Sequence, residues 1–183
     1  ALSGVIVALI WKFIYDPTYG VLNVSLRSLG FEDLAKPWLG LPGLNTYFII
    51  IAHSWSQMGF SMIVFLAGLK SIPSDLLDAS KVDGAGDWER FRFVIFPLLA
   101  PFTTVIIAMT ILNTLKVFDI IYLMTTGGPY RSSETLAVTM FFNAFSLRQY
   151  GYGAAVGTML FIIVVIITII YLHYAFKREV TYG

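Results

Sequence analysis

The sequence contains no cysteine among its 183 residues, and only 13% of them are charged. The absence of cysteine excludes disulfides, thiolate metal sites and cysteine nucleophiles. Soluble domains carry about 25% charged and roughly 45–50% apolar residues, whereas 57% of this chain is hydrophobic and its mean hydropathy is +0.78. The composition therefore excludes a disordered chain, a nucleic-acid-binding domain and an ordinary soluble enzyme, and it is typical of a membrane protein.

Charge is also missing from three long windows, 44–69, 98–115 and 151–176. The first and third windows have 26 residues each. A helix of that length extends over about 39 Å, so it crosses a hydrocarbon core of about 30 Å with some tilt. The second window continues past two charges, Lys116 and Asp119. We therefore predict an all-α polytopic transmembrane bundle with spans at about 1–15, 44–69, 98–125 and 151–176. We expect one transmembrane domain over 1–183 that is N-terminally truncated, its first span being the second half of a helix.

The placement of basic residues predicts the topology. Segments 70–97 and 177–183 hold six Lys and Arg in 35 residues, whereas loops 16–43 and 126–150 hold four in 53. Because cytoplasmic loops are enriched in Lys and Arg, we expect the first pair to be cytoplasmic.

The outer loops contain apolar residues at helical spacing. Leu22, Leu26 and Leu29 predict one short surface helix that Gly30 ends, and the apolar residues of 138–145 predict another.

The predicted cytoplasmic loop, 71–97, has the pattern of two short helices joined by a bend. Ser74 can cap the first helix, and Gly84 ends it as a C′ glycine. Asp87 can cap the second helix, whose apolar face includes Trp88. From the residues alone, this helix pair is either a connector lying on the bilayer or an element that transmits a rigid-body push.

The same loop carries a family resemblance. Its elements Asp78-Ala79-Ser80, Gly84 and Val94-Ile95-Phe96-Pro97 match the spacing of the Glu-Ala-Ala loop of binding-protein-dependent ABC importer permeases. The chain resembles these permeases over essentially its whole length, and most closely the carbohydrate-uptake branch of the maltose and glycerol-phosphate transporter type. In this family the loop is a coupling helix that docks in a cleft of the ATPase subunit. The resemblance implies that the ATPase-coupling residues are Asp78, Ala79, Ser80, Asp83, Gly84, Ala85 and Phe91.

The resemblance also implies the role and the partners of the chain. It implies a non-catalytic, multi-pass permease subunit in the cell inner (plasma) membrane, part of an ATP-driven importer for a sugar or a related polyol. The implied partners are the lipid bilayer, a second permease subunit that is a different chain, two ATPase subunits and an extracytoplasmic solute-binding protein, with no nucleic acid. No cofactor is expected in this chain, because ATP and Mg would bind the ATPase; the sequence contains neither a P-loop motif nor a cluster with metal-ligand spacing.

Polar residues inside the predicted spans are candidates for a substrate pathway, because they are costly in hydrocarbon. Lys116 and Asp119 are three residues apart, which predicts one helix face and an ion pair. Aromatic side chains at a similar depth would supply the planar surfaces on which sugars stack, and they are Trp55, Phe118 and Tyr122. The predicted pathway residues are His53, Gln57, Asn113, Lys116 and Asp119.

Other functions stay open at this stage. Lys116 and Asp119 could pack helices together, or could form the proton relay of a proton-coupled secondary transporter. The permease could carry glycerol phosphate or another non-sugar solute, with Lys116 facing the phosphate, or the chain could be a scaffold that only packs. The sequence does not name the solute.

Overall fold

The computed structural model of the chain describes residues 3–179, apart from the side chains of 176–179. These residues form helices joined by turns, and no strand occurs among them. In chain order the helices are α1 (Gly4–Ile14), α2 (Val21–Ser28), α3 (Leu44–Ser71), α4 (Ser74–Val82), α5 (Asp87–Arg90), α6 (Phe96–Leu98), α7 (Ala100–Leu115), α8 (Asp119–Thr125), α9 (Leu136–Phe141) and α10 (Tyr150–Glu179). A short 3₁₀ turn covers Glu32–Leu34, and π turns cover Phe91–Ile95 and Phe142–Ser146. The expected all-α class is confirmed.

Two helices are long and apolar enough to cross a bilayer. They are Leu44–Ser71, with 28 residues and a mean hydropathy of 1.5, and Tyr150–Ala175 of α10, with 26 residues and a mean hydropathy of 2.8. The predicted span 44–69 lies within the first of these segments, and the predicted span 151–176 lies within α10. α1 has 11 residues, and Ala1 and Leu2 of the predicted first span lie outside the described residues.

The predicted span 98–125 is not one continuous helix, because the chain is interrupted twice there. The helical stretch Asp87–Leu98 and helix α7 meet at Leu99 with a bend of 64°. Pro101 explains this restart: proline has no N–H to donate and is tolerated only in the first turn of a helix. The second interruption lies between α7 and α8, where Phe118 leaves the helical region with φ −128° and ψ −58°.

The described chain divides into two compact units. One comprises Ala1–Gln57 with Thr114–Val164, and the other comprises Met58–Asn113 with Val165–Gly183. Whether 1–183 acts as one domain stays a prediction. In the first unit, α8 buries its apolar side against α1, so that Ile120, Ile121 and Met124 are at most 5% exposed. In the second unit, the Tyr171 hydroxyl donates to the Thr104 carbonyl at 2.9 Å.

The turn before α2 is held by buried Asn23. Its amide nitrogen donates to the carbonyls of Pro17 and Lys36, and its oxygen accepts from the Trp38 indole at 2.7 Å. Buried amides are retained where all their hydrogen bonds are made. Asn23 therefore fixes the path of the chain between α1 and α3.

Both predicted surface helices are present. α2 ends as expected at Gly30, which has φ +82° and bonds to Arg27, while the Phe31 amide bonds to Leu26. α9 and the π turn that follows it cover the second predicted helix.

The turn into α2 leaves no room for a side chain at Gly20. A Cβ atom there would lie 2.4 Å from the Asp16 carbonyl oxygen and 2.5 Å from that of Ile14. Both neighbours are backbone, so we predict that Gly20→Ala lowers the free energy of unfolding by about 1–3 kcal/mol. Gly59→Ala is the matched control, because no atom lies within 4 Å of its Cβ position. Thermal denaturation of the two purified variants followed by size exclusion measures the difference, and equal stability would contradict this description of the turn.

Candidate functional site

The segment 71–97 folds as the predicted pair of short helices. α4 begins after Pro73, which occupies the N-cap position without a side-chain hydrogen bond. The expectation that Ser74 caps this helix is therefore wrong, because Ser74 is already the first helical residue. The preceding proline, with φ −58° and ψ 133°, sets the extended backbone from which the helix starts.

Gly84 ends α4 as expected. It has φ +78°, its N–H bonds to the Lys81 carbonyl, and the Ala85 N–H bonds to the Ser80 carbonyl, both at 3.0 Å. This pattern is the Schellman motif, in which a left-handed residue satisfies the last carbonyls of a helix. The bend between the two helices therefore depends on a backbone conformation that glycine adopts without strain.

The N-cap of the second helix lies one residue earlier than the sequence predicts. Gly86 is the N-cap, and its N–H donates to the Glu89 carboxylate at 3.0 Å. The expectation that Asp87 caps the helix is wrong: Asp87 lies in the first turn, where its charge favours the positive helix end, and pairs with Arg90. Trp88 and the predicted Phe91 stack with ring centroids 5.8 Å apart.

The two helices pack together and present an apolar surface. α4 contacts α5 and the π turn at 91–95. Six large apolar side chains of the segment are exposed, and the three most exposed are Val82 at 87%, Trp88 at 72% and Phe93 at 74%. Exposed apolar patches rimmed by polar residues mark protein interaction sites. We call the surface formed by α4, α5 and the π turn the helix-pair surface.

The predicted coupling residues are distributed over this surface. Asp78, Ala79, Asp83, Gly84 and Phe91 are exposed and Ala85 is half-buried, whereas Ser80 is buried and donates to the Leu77 carbonyl at 2.7 Å. Lys81 donates to Asp78 at 2.8 Å, and this hydrogen bond, together with the lysine charge, lowers the pKa of the Asp78 carboxyl. Asp78 is therefore ionised at neutral pH and is available to a basic partner.

The predicted pathway residues are divided between the two units. His53 and Gln57 on α3, together with Lys116 and Asp119, belong to the first unit, whereas Asn113 belongs to the second. The ring nitrogens of His53 are buried and have no hydrogen-bond partner among the described residues. Asn113, Lys116 and Asp119 are exposed, and Gln57 is half-buried.

The predicted ion pair between Lys116 and Asp119 is wrong. Among the side chains of residues 3–175, the ion pairs are Lys81–Asp78, Arg90–Asp87 and Arg131–Glu134. The break between α7 and α8 leaves Lys116 outside a helix and makes Asp119 the first residue of α8. The two side chains therefore do not share a helix face.

The break instead places aromatic rings together. Phe118 and Tyr122 stack with centroids 5.1 Å apart and planes 19° from parallel, and Phe141 lies 4.8 Å from Phe118. Trp55 packs on Trp11 at 5.9 Å. The sequence indicated Phe118, Tyr122 and Trp55, but it did not indicate Phe141, which enters from α9.

The loop after α8 is fastened by a buried amide that the sequence analysis missed. The Asn45 side chain is fully buried and donates to the Gly128 carbonyl at 2.7 Å and to the Ser132 hydroxyl at 2.8 Å. The sequence signal for this contact was an asparagine at the start of an apolar helix, since such a residue rarely stays buried without partners.

Further along the same loop, Arg131 pairs with Glu134, and this hydrogen bond is the main cause of the lowered pKa of the Glu134 carboxyl.

These features define a helical membrane protein with two helices long and apolar enough to cross a bilayer, a bent helix pair between them in the chain, and an exposed loop of two short helices. The family model of the binding-protein-dependent transport system inner membrane component matches residues 1–181. The chain belongs to this family. Among residues 3–179 no group of three or more His, Cys, Asp or Glu could hold a metal ion.

Several individual proteins are similar to the chain. It is 37% identical to the trehalose/maltose transport system permease protein MalF of Thermococcus litoralis, over 98% of this chain and 60% of that protein. It is also 37% identical to the sulfoquinovosyl glycerol transport system permease protein SmoG of Agrobacterium fabrum, over 93% of this chain and 54% of that protein. The chain thus spans about 54–60% of the length of these curated relatives.

A solved structure has the same fold. It is the crystal structure of a bacterial ABC transporter that imports the acidic polysaccharide alginate, with a TM-score of 0.87 and 24% identity over 96% of this chain and 61% of that chain. A second structure of the alginate transporter, also with a TM-score of 0.87 and 24% identity, over 97% of this chain and 61% of that chain, is in complex with an alginate pentasaccharide-bound periplasmic protein.

Proposed function

We propose that the chain is part of a transmembrane permease subunit of an ATP-driven importer for a sugar or a related polyol. The observation that carries this proposal is the helix-pair surface, with its left-handed Gly84 and its exposed Val82 and Trp88. Family membership supports it, and so do the sugar-transport names of MalF and SmoG.

The helix-pair surface is the proposed contact with the ATPase. An interface needs a desolvated apolar centre with aromatic residues and a polar rim. Val82, Trp88 and Phe93 provide the centre, and Asp78 and Asp83 provide charges at its edge. ATP and Mg bind the ATPase subunits, and closure of those subunits moves the helix pair.

The break between α7 and α8 lies on the proposed solute pathway. Irregular backbone at membrane depth is tolerated where it lines a cavity or is covered by protein. The ring pair Phe118 and Tyr122 offers a stacking surface beside Lys116 and Asp119. Aromatic faces next to hydrogen-bonding groups suit a polyhydroxyl solute, and His53, Gln57 and Asn113 complete the proposed set.

The remaining partners follow from an importer of this type. We place the helix-pair surface in the cytosol, because the loops with the higher density of Lys and Arg are cytoplasmic. A second, different permease chain would cover the other side of the pathway. A solute-binding protein would deliver the solute to the outer loops, in the inner membrane of the cell.

Energised uptake tests the proposed function. We predict that proteoliposomes containing the full permease pair, the ATPase and the binding protein take up one of a panel of maltose, trehalose and sulfoquinovosyl glycerol when ATP is enclosed on the ATPase side. A protonophore should leave this uptake unchanged. Uptake that ignores ATP and collapses with the proton gradient would show a secondary transporter instead, and uptake of glycerol phosphate alone would show a permease for a non-sugar solute.

The coupling role of Gly84 has a matched control within the chain. Gly30 ends α2 with the same hydrogen bonds and φ +82°, against φ +78° at Gly84, and no atom lies within 4 Å of either Cβ position. Valine in the left-handed region costs about 1–2 kcal/mol at either position. We predict that Gly84→Val abolishes transport and solute-stimulated ATP hydrolysis, whereas Gly30→Val retains both.

Membrane insertion of the two variants should be equal, measured as the amount of chain in washed membranes. Gly84→Asn should keep transport, because asparagine tolerates the left-handed conformation. Wild-type transport by Gly84→Val would contradict the coupling role. An equal loss of transport in Gly84→Val and Gly30→Val would show that disturbing either helix end is sufficient, which also contradicts a specific coupling role for Gly84.

A further inference from the structure

The Lys12 ammonium makes a contact that neither the family resemblance nor the pathway prediction uses. Its Nζ donates to the Leu123 carbonyl oxygen at 3.1 Å, so it joins α1 to α8. Both residues belong to the first unit. A lysine within an apolar helix is costly unless its charge meets polar groups, and here it meets the backbone of another helix.

Leu123 lies in the last turn of α8, where carbonyls lack partners within the helix. In a longer helix the Leu123 carbonyl would accept from the Gly127 N–H. That N–H instead bonds to the Thr125 hydroxyl at 3.2 Å. The C-terminal end of a helix carries a partial negative charge, which a cation stabilises. Lys12 is therefore placed at a carbonyl that attracts it.

The other end of α8 is also in contact with α1. A Cβ built on Gly4 would lie 3.3 Å from both the Cβ and the Oδ2 of Asp119. Gly4 precedes Lys12 on α1, and Asp119 precedes Leu123 on α8, so the two helices run parallel. α1 thus contacts α8 at its first residue and at its last turn, with the buried Ile120 and Ile121 between.

The remaining side of α8 carries Tyr122, whose ring stacks on Phe118 and meets Phe141 edge-on at 5.1 Å. α8 is separated from α7 by the break at 116–118, so the preceding helix does not fix its rotation. The packing of α8 on α1 is therefore one of the contacts that hold the aromatic rings in place, together with Phe141 of α9.

We propose that Lys12 is a positioning residue that holds α8 in register with α1 and thereby sets the aromatic surface over which the solute passes. This inference rests on the proposed function for its solute, but the register itself can be measured without transport. Lys12 acts through α8 and does not contact the solute.

The transport test compares Lys12→Met with Lys12→Arg in the complete importer. Interhelical polar contacts in membranes are worth on average about 0.6 and at most about 1.7 kcal/mol, so we predict that Lys12→Met raises the KM for the transported sugar roughly three- to eighteen-fold. The maximal rate and the basal ATP hydrolysis should stay near wild type, and Lys12→Arg should restore the KM. Lys36→Met, which removes an exposed charge from the loop before α3, should have no effect.

The register test uses the absence of cysteine from the chain. A Gly4→Cys, Asp119→Cys pair has a Cβ separation close to that of a disulfide, about 3.5–4.5 Å. In the assembled complex this pair should cross-link readily with Lys12 present, more slowly after Lys12→Met, and unchanged after Lys36→Met. If Lys12→Met does not accumulate in membranes, Lys12→Gln, which keeps a donor but no charge, takes its place and should give an intermediate cross-linking rate.

The outcomes separate the two proposals. Wild-type KM and wild-type cross-linking in Lys12→Met would overturn the positioning role and show that Lys12 only extends toward the membrane surface. Slower cross-linking in an importer that transports none of the sugars would keep the positioning role and reject the proposed solute class.

Discussion

Every backbone N–H and C=O near hydrocarbon needs a partner, and this constraint explains where the helices of this chain stop. Water cannot satisfy an interrupted helix inside a bilayer, so each interruption has to be closed by protein groups. At the restart before α7, the Leu99 N–H bonds to the Ile95 carbonyl at 3.0 Å and the Leu99 carbonyl accepts from the Thr103 N–H at 2.9 Å. At the end of α8, Lys12 donates to the Leu123 carbonyl. The break between α7 and α8 is also the position of the proposed solute pathway.

The same local motif has different consequences on different segments of the chain. Gly30 and Gly84 both end amphipathic helices with left-handed backbone and equivalent hydrogen bonds. After Gly30 the chain returns to a turn held by Asn23, whereas after Gly84 a second helix folds back on the first and leaves Val82 and Trp88 exposed. The residues at a helix end therefore determine its backbone conformation, whereas its function depends on the segment of chain that follows it.

Much of the fold could be predicted from the sequence because its signals are local. Charge-free windows of 26 residues indicated the two longest helices, and single glycines marked the ends of α2 and α4. Exact caps were not predictable, since Pro73 and Gly86 stand beside the better capping residues Ser74 and Asp87. Contacts distant in sequence, such as Lys12 with Leu123 across 111 residues, leave no periodic pattern in one sequence.

The central claim is that the helix-pair surface faces the cytosol and is covered there by an ATPase. Because these 183 residues contain no cysteine, Val82→Cys introduces the one thiol among them, at a side chain that is 87% exposed. A membrane-impermeant maleimide should label it in inside-out vesicles stripped of the ATPase, should not label it in intact cells, and should label it poorly once the ATPase is restored. Labelling in intact cells, or labelling that the ATPase does not reduce, would contradict the claim.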